Sequence, residues 1–344
     1  MTRRTLLQSA IAMALRKEKV DEAIALIQQQ VESGSVAAAA LHVSQGKDVV
    51  DRAFGAAKSP AAVFLLASIS KPMTASAVML LSDRKQLALE DPVSKYIPEF
   101  RGGEKDRIVL RHLLTHTSGL PDMLPENDAL RMRHAPLKDF VAATCETPLL
   151  YSPGTSVKYQ SMGVLLAAEV VQRVTGRSLA DLLRDEIYRP LGMKDSSMGL
   201  GGRALPATMQ CQVAEQNDWD WNSAYWRNLA SPWGGAHATA ADVGRFVRYF
   251  AEPTAAVLKP ATVAAMITDQ NRGLNTPWGI GWMLGRGMGK HSSARTFGHS
   301  GSTGTLAWMD PEKGVSFVLL TTKPAAQSNR SLLTPVSDVI SEVA

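Results

Sequence analysis

Ala67-Ser68-Ile69-Ser70-Lys71-Pro72-Met73-Thr74 places a serine and a lysine three residues apart, where an apolar run meets a helical pattern. Before it, Val63-Phe64-Leu65-Leu66 is short and apolar; after it, Ala75, Val78, Met79 and Leu81 fall at helical spacing. Pro72 lacks an N–H and is tolerated only near a helix start, so the spacing predicts a helix beginning close to Ser68. Residues at i and i+3 share a helix face, which puts Ser68 beside Lys71. A serine nucleophile needs a base within hydrogen-bond reach and free backbone N–H groups, as at a helix N-terminus. The lysine must be neutral to take a proton, and burial together with the positive end of the helix dipole lowers its pKa.

Upstream, Val20 to Ser33 reads as a helix closed by Gly34. Val36 to Val43 and Val49 to Phe54 read as strands joined at Ser44-Gln45-Gly46-Lys47. From Lys71 to about Leu258 helical patterns alternate with loops rich in Pro and Gly; Val164 to Val174 and Leu179 to Tyr188 are the clearest helices. Strands return at Trp278 to Leu284, Arg295 to His299, Thr305 to Met309 and Val315 to Thr321. Asp310-Pro311-Glu312-Lys313-Gly314 turns between the last two, and Leu332 to Val343 reads as a closing helix. The expected fold is α/β (α+β), an antiparallel sheet built from both chain ends with a large helical insertion. The whole chain, 1–344, is read as one catalytic unit, with an α/β subdomain of about 15–66 and 270–344 and a helical subdomain of about 67–269. The active site is expected at the seam between them.

A chain of 344 residues, 45% hydrophobic and 20% charged, can bury a sizeable core. The formal charge of +5 is mild and scattered, which argues against nucleic acid, and no apolar run approaches a membrane span of ~20 residues. Cys145 and Cys211 form neither a disulfide framework nor a metal site and read as buried thiols. Met1-Thr2-Arg3-Arg4 with Leu6, Leu7 and Ile11 is similar to a twin-arginine export signal. A helix running on into Val20 is the favoured alternative, and with it a cytoplasmic location rather than a periplasmic or secreted one.

Four further stretches carry chemistry-bearing residues. Leu113 to Pro121 reads as a helix end turning at Gly119, and His116 is given no chemistry. Pro153-Gly154-Thr155-Ser156-Val157-Lys158-Tyr159-Gln160-Ser161 is a loop before the Val164 helix, where Tyr159 either packs in the core or faces a cleft. Phe297-Gly298-His299-Ser300-Gly301-Ser302-Thr303-Gly304 has the glycine density of a strand closely approached by a ligand or another backbone. His299, with a reference pKa of about 6.5, could bind an anion or relay a proton. Asn217 to Gly235 holds Trp219, Trp221, Tyr225, Trp226 and Trp233, which read as core packing or as a substrate wall.

Together these motifs resemble the serine β-lactamase-like superfamily: class C β-lactamases, D,D-peptidases and, closest in pattern, family VIII carboxylesterases. The resemblance rests on Ser68-x-x-Lys71, on Tyr159 in the second motif and on His299-Ser300-Gly301 in place of Lys-Thr-Gly, in order from about Val20 to the end. It implies acylation of Ser68, a base role shared by Lys71 and Tyr159, and an oxyanion hole made by the N–H groups of Ser68 and Ser302, worth roughly 3–4 kcal/mol per donor. It further implies substrate contacts from Ser161, His299, Ser300, Gly301 and Trp233, and no metal or organic cofactor.

Two departures set the expected substrate. The second motif ends in Ser161 where the family carries asparagine, and the third has His299 where β-lactam enzymes carry a permanent cation for the substrate carboxylate. Both subtract from amide and β-lactam recognition while leaving ester cleavage intact. The reading is therefore a serine hydrolase of short-chain carboxylic esters, with a small-molecule ester (or β-lactam) as partner. A β-lactamase, D,D-peptidase or D-aminopeptidase-like amide hydrolase is the alternative, and a non-catalytic binding member of the superfamily the second.

Overall fold

The computed structural model describes residues 15–342 apart from 215, 255, 275, 286 and 287; the twin-arginine-like segment lies outside the described residues. Helix α1 (Lys17–Glu32) leads into the hairpin β1 (Ala38–Gln45) and β2 (Asp48–Gly55). The chain then enters a short strand β3 (Phe64–Leu65), a single 3₁₀ turn Ala67–Ile69 and helix α2 (Ser70–Asp83). Helix α3 (Met162–Thr175), strand β4 (Ser197–Met198), strand β5 (Ala236–Ala238) and helix α4 (Ala240–Ala251) follow. Strands β6 (Met283–Leu284), β7 (Phe297–Gly301), β8 (Thr305–Asp310) and β9 (Val315–Thr321) precede the closing helix α5 (Thr334–Ser341).

Six strands form one antiparallel sheet in the order β2-β1-β9-β8-β7-β6, so the two ends of the chain meet where β1 pairs β9, Leu41 opposite Leu319. Its central strands are buried on both faces, and alternate residues feed two cores. Ala39, Leu41 and Val43 of β1, with Phe317, Leu319 and Trp308, pack under α1 and α5. Ala38, Ala40, Ala307, Met309, Val318 and Leu320 turn the other way, into the larger core that also takes α2, α3 and α4. Helix α2 is buried from Ser70 through Leu81, as expected for a helix apolar around most of its circumference. Helix α3 ends at Gly176, φ +66°, a left-handed residue that a side chain would strain.

The structure corrects the sequence reading in three places. The long strand expected from Trp278 shrinks to Met283–Leu284, with one isolated bridge from Trp278 to Met283. The helix expected over Leu179 to Tyr188 is α-helical only to Leu183 and continues as a wider π turn. A three-stranded sheet, β3-β5-β4, has no counterpart in the sequence reading.

Candidate active site

Ser68 sits in the 3₁₀ turn, one residue after Ala67, whose φ of +47° turns the chain sharply out of β3. Polar side chains fix that turn from three sides. Ser70 Oγ donates to the Ala67 carbonyl (2.6 Å) and accepts from the Ala236 amide (2.9 Å). Thr303 and Thr305 hydroxyls, from the β7–β8 hairpin, donate to the carbonyls of Leu65 and Leu66, each at 2.8 Å. The i, i+3 spacing then does what the sequence predicted, and Lys71 Nζ lies 3.0 Å from Ser68 Oγ.

Lys71 is 1% exposed and donates to the Trp233 carbonyl at 3.1 Å. Burial lowers its pKa to about 7, with the carboxylate of Asp122 opposing. The Tyr159 ring lies 4.7 Å from Lys71 Nζ. Burial pushes its phenol well up, opposed by its hydrogen bond with Ser68.

The loop carrying Tyr159 is cradled by the Leu113 to Pro121 stretch. His116, itself at φ +61°, accepts the Gln160 amide on Nδ1 (3.2 Å) and receives the Lys158 amide on its carbonyl (3.0 Å). Its ring packs on Tyr159 at 4.7 Å, and Gln160 is buried between Ser118 Oγ and the His112 carbonyl. Sequence reasoning missed His116 and Asp122. Ser161 Oγ donates to Asp122 Oδ1 at 2.6 Å, so Ser161, where the resemblance implies an asparagine, is tied to a carboxylate.

A cleft of about 340 Å³ opens over this group, lined among others by Ser68, Tyr159, Ser161, Trp233 and Ser302. Trp221 and Trp226 also face it, so part of the tryptophan-rich stretch is a cleft wall. His299, Ser300 and Gly301 are not in the lining. His299 is 1% exposed, 6.0 Å behind the Tyr159 ring, and donates from Nδ1 to the Ser300 carbonyl at 2.7 Å. Burial, with Lys71 nearby, lowers its pKa to about 3. His299 is thus neutral, in keeping with a third motif that lacks a permanent cation, and it packs behind the cleft instead of lining it. Gly301 serves closeness, since a Cβ there would come within 2.3 Å of the Leu66 carbonyl. Both cysteines are buried thiols, pushed up to about 11 by desolvation. Among the described residues no cluster of His, Cys, Asp and Glu could hold a metal, and no helix is long and apolar enough to cross a membrane.

A family model described as Beta-lactamase matches residues 23–338. The chain is 31% identical to esterase EstB of Burkholderia gladioli over 204 residues, 55% of this chain and 50% of EstB. It is 30% identical to penicillin-binding protein 4 of Amycolatopsis lactamdurans over 302 residues, 81% of this chain and 77% of that protein. The match thus spans about half the length of EstB, and 44% of protein flp of Staphylococcus aureus. A penicillin-binding protein homologue from Caulobacter crescentus superposes with a TM-score of 0.78 at 24% identity, covering 96% of this chain and 99% of that one. EstCE1, a hydrolase with promiscuous acyltransferase activity, gives 0.76 at 21%, covering 95% and 98%. At these identities the two superpositions speak for the fold.

Proposed function

The chain belongs to the Beta-lactamase family, and from that premise we propose that it is a serine hydrolase cleaving short-chain carboxylic esters through an acyl-enzyme on Ser68. The observation that carries this reading is Lys71 Nζ, 3.0 Å from Ser68 Oγ and lowered by burial to about 7. In its neutral form Lys71 keeps one N–H on the Trp233 carbonyl and turns its lone pair to the serine proton. Ser68 Oγ attacks the ester carbonyl, and the developing oxyanion is held by the amides of Ser68 and Ser302. Tyr159, its phenol kept protonated by burial, acts as the relay that hands a proton to the leaving alkoxide and is resupplied by Lys71. The alcohol departs, water attacks the acyl group as Lys71 and Tyr159 take its proton, and as the acyl–Oγ bond breaks that proton passes to Ser68 Oγ and the carboxylic acid leaves.

Substrate choice is read from the third motif, where β-lactam enzymes carry a permanent cation and this chain has His299. A neutral His299 offers no cation for the carboxylate of a β-lactam or cell-wall peptide, and a neutral ester has no need of one. The amide-hydrolase reading is favoured by one observation, the 30% identity to a penicillin-binding protein across 81% of this chain. Turnover of 4-nitrophenyl butyrate and nitrocefin by the purified protein and by Ser68→Ala separates the two. The ester should be much the better substrate, and a fluorophosphonate should add once to the wild type and not to Ser68→Ala. Preference for nitrocefin, or a label on Ser70, overturns the proposal.

A further inference from the structure

The cleft has a cation that the reaction outlined above does not use. Arg131, on the short helix Asn127–Met132, lines the same cleft as Ser68 and Tyr159. Its guanidinium carbon lies over two indoles, 5.0 Å from the centre of the Trp219 ring and 4.1 Å from that of Trp226. One amino group donates to the Trp219 carbonyl at 2.8 Å, while the buried Nε has no hydrogen-bond partner. Among the described residues Arg131 forms no salt bridge and Nη1 makes no hydrogen bond. A planar cation held by stacking, with an edge left over, is the arrangement that binds carboxylates.

The carboxylates near it are engaged elsewhere. Asp220 accepts the amides of Asn217 and Asn222, and Asp128 accepts from the Asn127 side chain. Burial lowers the pKa of the guanidinium, opposed by Asp128, Tyr225 and Asp220, and neither carboxylate pairs with it. Neither lines the cleft; the acidic side chain that does, Asp122, is bonded to Ser161 and acts on Lys71 and Tyr159. The cleft therefore has an acidic side chain, Asp122, on its Ser161 side and an unpaired cation at Arg131. Of the two, Arg131 is the group suited to hold an anionic part of the substrate.

We propose that Arg131 is a specificity-determining residue, and that the preferred substrates are esters whose acyl part ends in a carboxylate, the half-esters of aliphatic dicarboxylic acids. The inference rests on the ester-hydrolase reading of the same cleft. It differs from carboxylate recognition at His299, which is neutral and outside the lining.

The test compares monoethyl succinate, glutarate and adipate with ethyl butyrate, following the acid released, on wild type, Arg131→Gln and Arg131→Lys. One chain length should exceed ethyl butyrate in kcat/KM, chiefly through KM. Arg131→Gln should lower that ratio by about ten- to a hundredfold, the range for a hydrogen bond to a charged group. Arg131→Lys, which keeps the charge and loses the stacked plane, should retain part of the preference. Thermal unfolding of both variants checks that the fold survives. In parallel, adipate is titrated into Ser68→Ala with and without Arg131→Gln, reading tryptophan fluorescence from the indoles flanking the guanidinium. A ratio unchanged in Arg131→Gln, or adipate binding that ignores Arg131, overturns the inference while leaving ester hydrolysis standing. No turnover of ethyl butyrate at all would remove the ester reading instead, and the adipate titration would still decide Arg131.

Discussion

Lys71 is the residue whose protonation the fold controls most directly. With His299 lowered to about 3 and the Tyr159 phenol pushed well up, Lys71 at about 7 is the catalytic group left to titrate between pH 5 and 9. On the proposed mechanism the neutral amine is the acceptor, and kcat/KM for a neutral ester should rise with pH through about 7 along a single limb. A profile flat down to pH 5 would remove Lys71 from the base role. The same shift bears on stability. Its folded pKa lies below the unfolded value of about 10.4, so the unfolded chain binds more protons between the two, and stability rises with pH across that window. The cost of burying the amine is therefore greatest below pH 7. Lys71→Met should abolish turnover and raise Tm, more at pH 6 than at pH 9; a Tm that falls at both would show that the Trp233 contact outweighs desolvation. Tyr159→Phe keeps the packing against His116 and loses only the relay, so kcat should drop by roughly 10²–10⁴ with KM little changed. Near-normal kcat would leave Tyr159 as a packing residue.

At the scale of elements, the site is a turn clamped by a hairpin. Strand β7 passes so close to the nucleophile turn that a Cβ on Gly301 would fall 2.2 Å from Thr305 Oγ1 and 2.3 Å from the Leu66 carbonyl. Real structures do not hold such contacts, so Gly301→Ala must part the hairpin from the turn and loosen the Thr303 and Thr305 bonds to Leu65 and Leu66. Acylation by a fluorophosphonate should slow together with a lower Tm, whereas an unchanged labelling rate would mean the clamp does not position Ser68. This clamp explains what the sequence could and could not reveal. Ser68 and Lys71 are legible because three residues of helix suffice to bring them together. His116 and Asp122 are not, because they reach the site through the fold of a loop, by a positive φ at His116 and by side-chain bonds to Gln160 and Ser161. Strands β3, β4 and β5 are two or three residues long, too short for alternation to register.

For the whole molecule, the antiparallel sheet and its closure by both chain ends were readable because β1, β8 and β9 alternate between two apolar cores. The burial of His299 outside the cleft was not, since no local pattern encodes it. Division of labour between the two cores gives a test. The α1 and α5 layer packs on the sheet face turned away from α2, and there Ile27, Ile340 and Val336 are fully buried. Trp308 Nε1 also donates to Ser337 Oγ of α5 at 2.9 Å. Ile340→Ala removes apolar volume from this layer only and should destabilise by about 2–5 kcal/mol. None of the bonds holding Ser68, Lys71 or Tyr159 comes from it, so KM and the limb near pH 7 should match wild type in the fraction that remains folded. Gly301→Ala, at the seam, should instead alter stability and acylation together. If Ile340→Ala moves the pH limb, the two cores are coupled through the sheet, and the desolvation that sets Lys71 depends on the far layer as well.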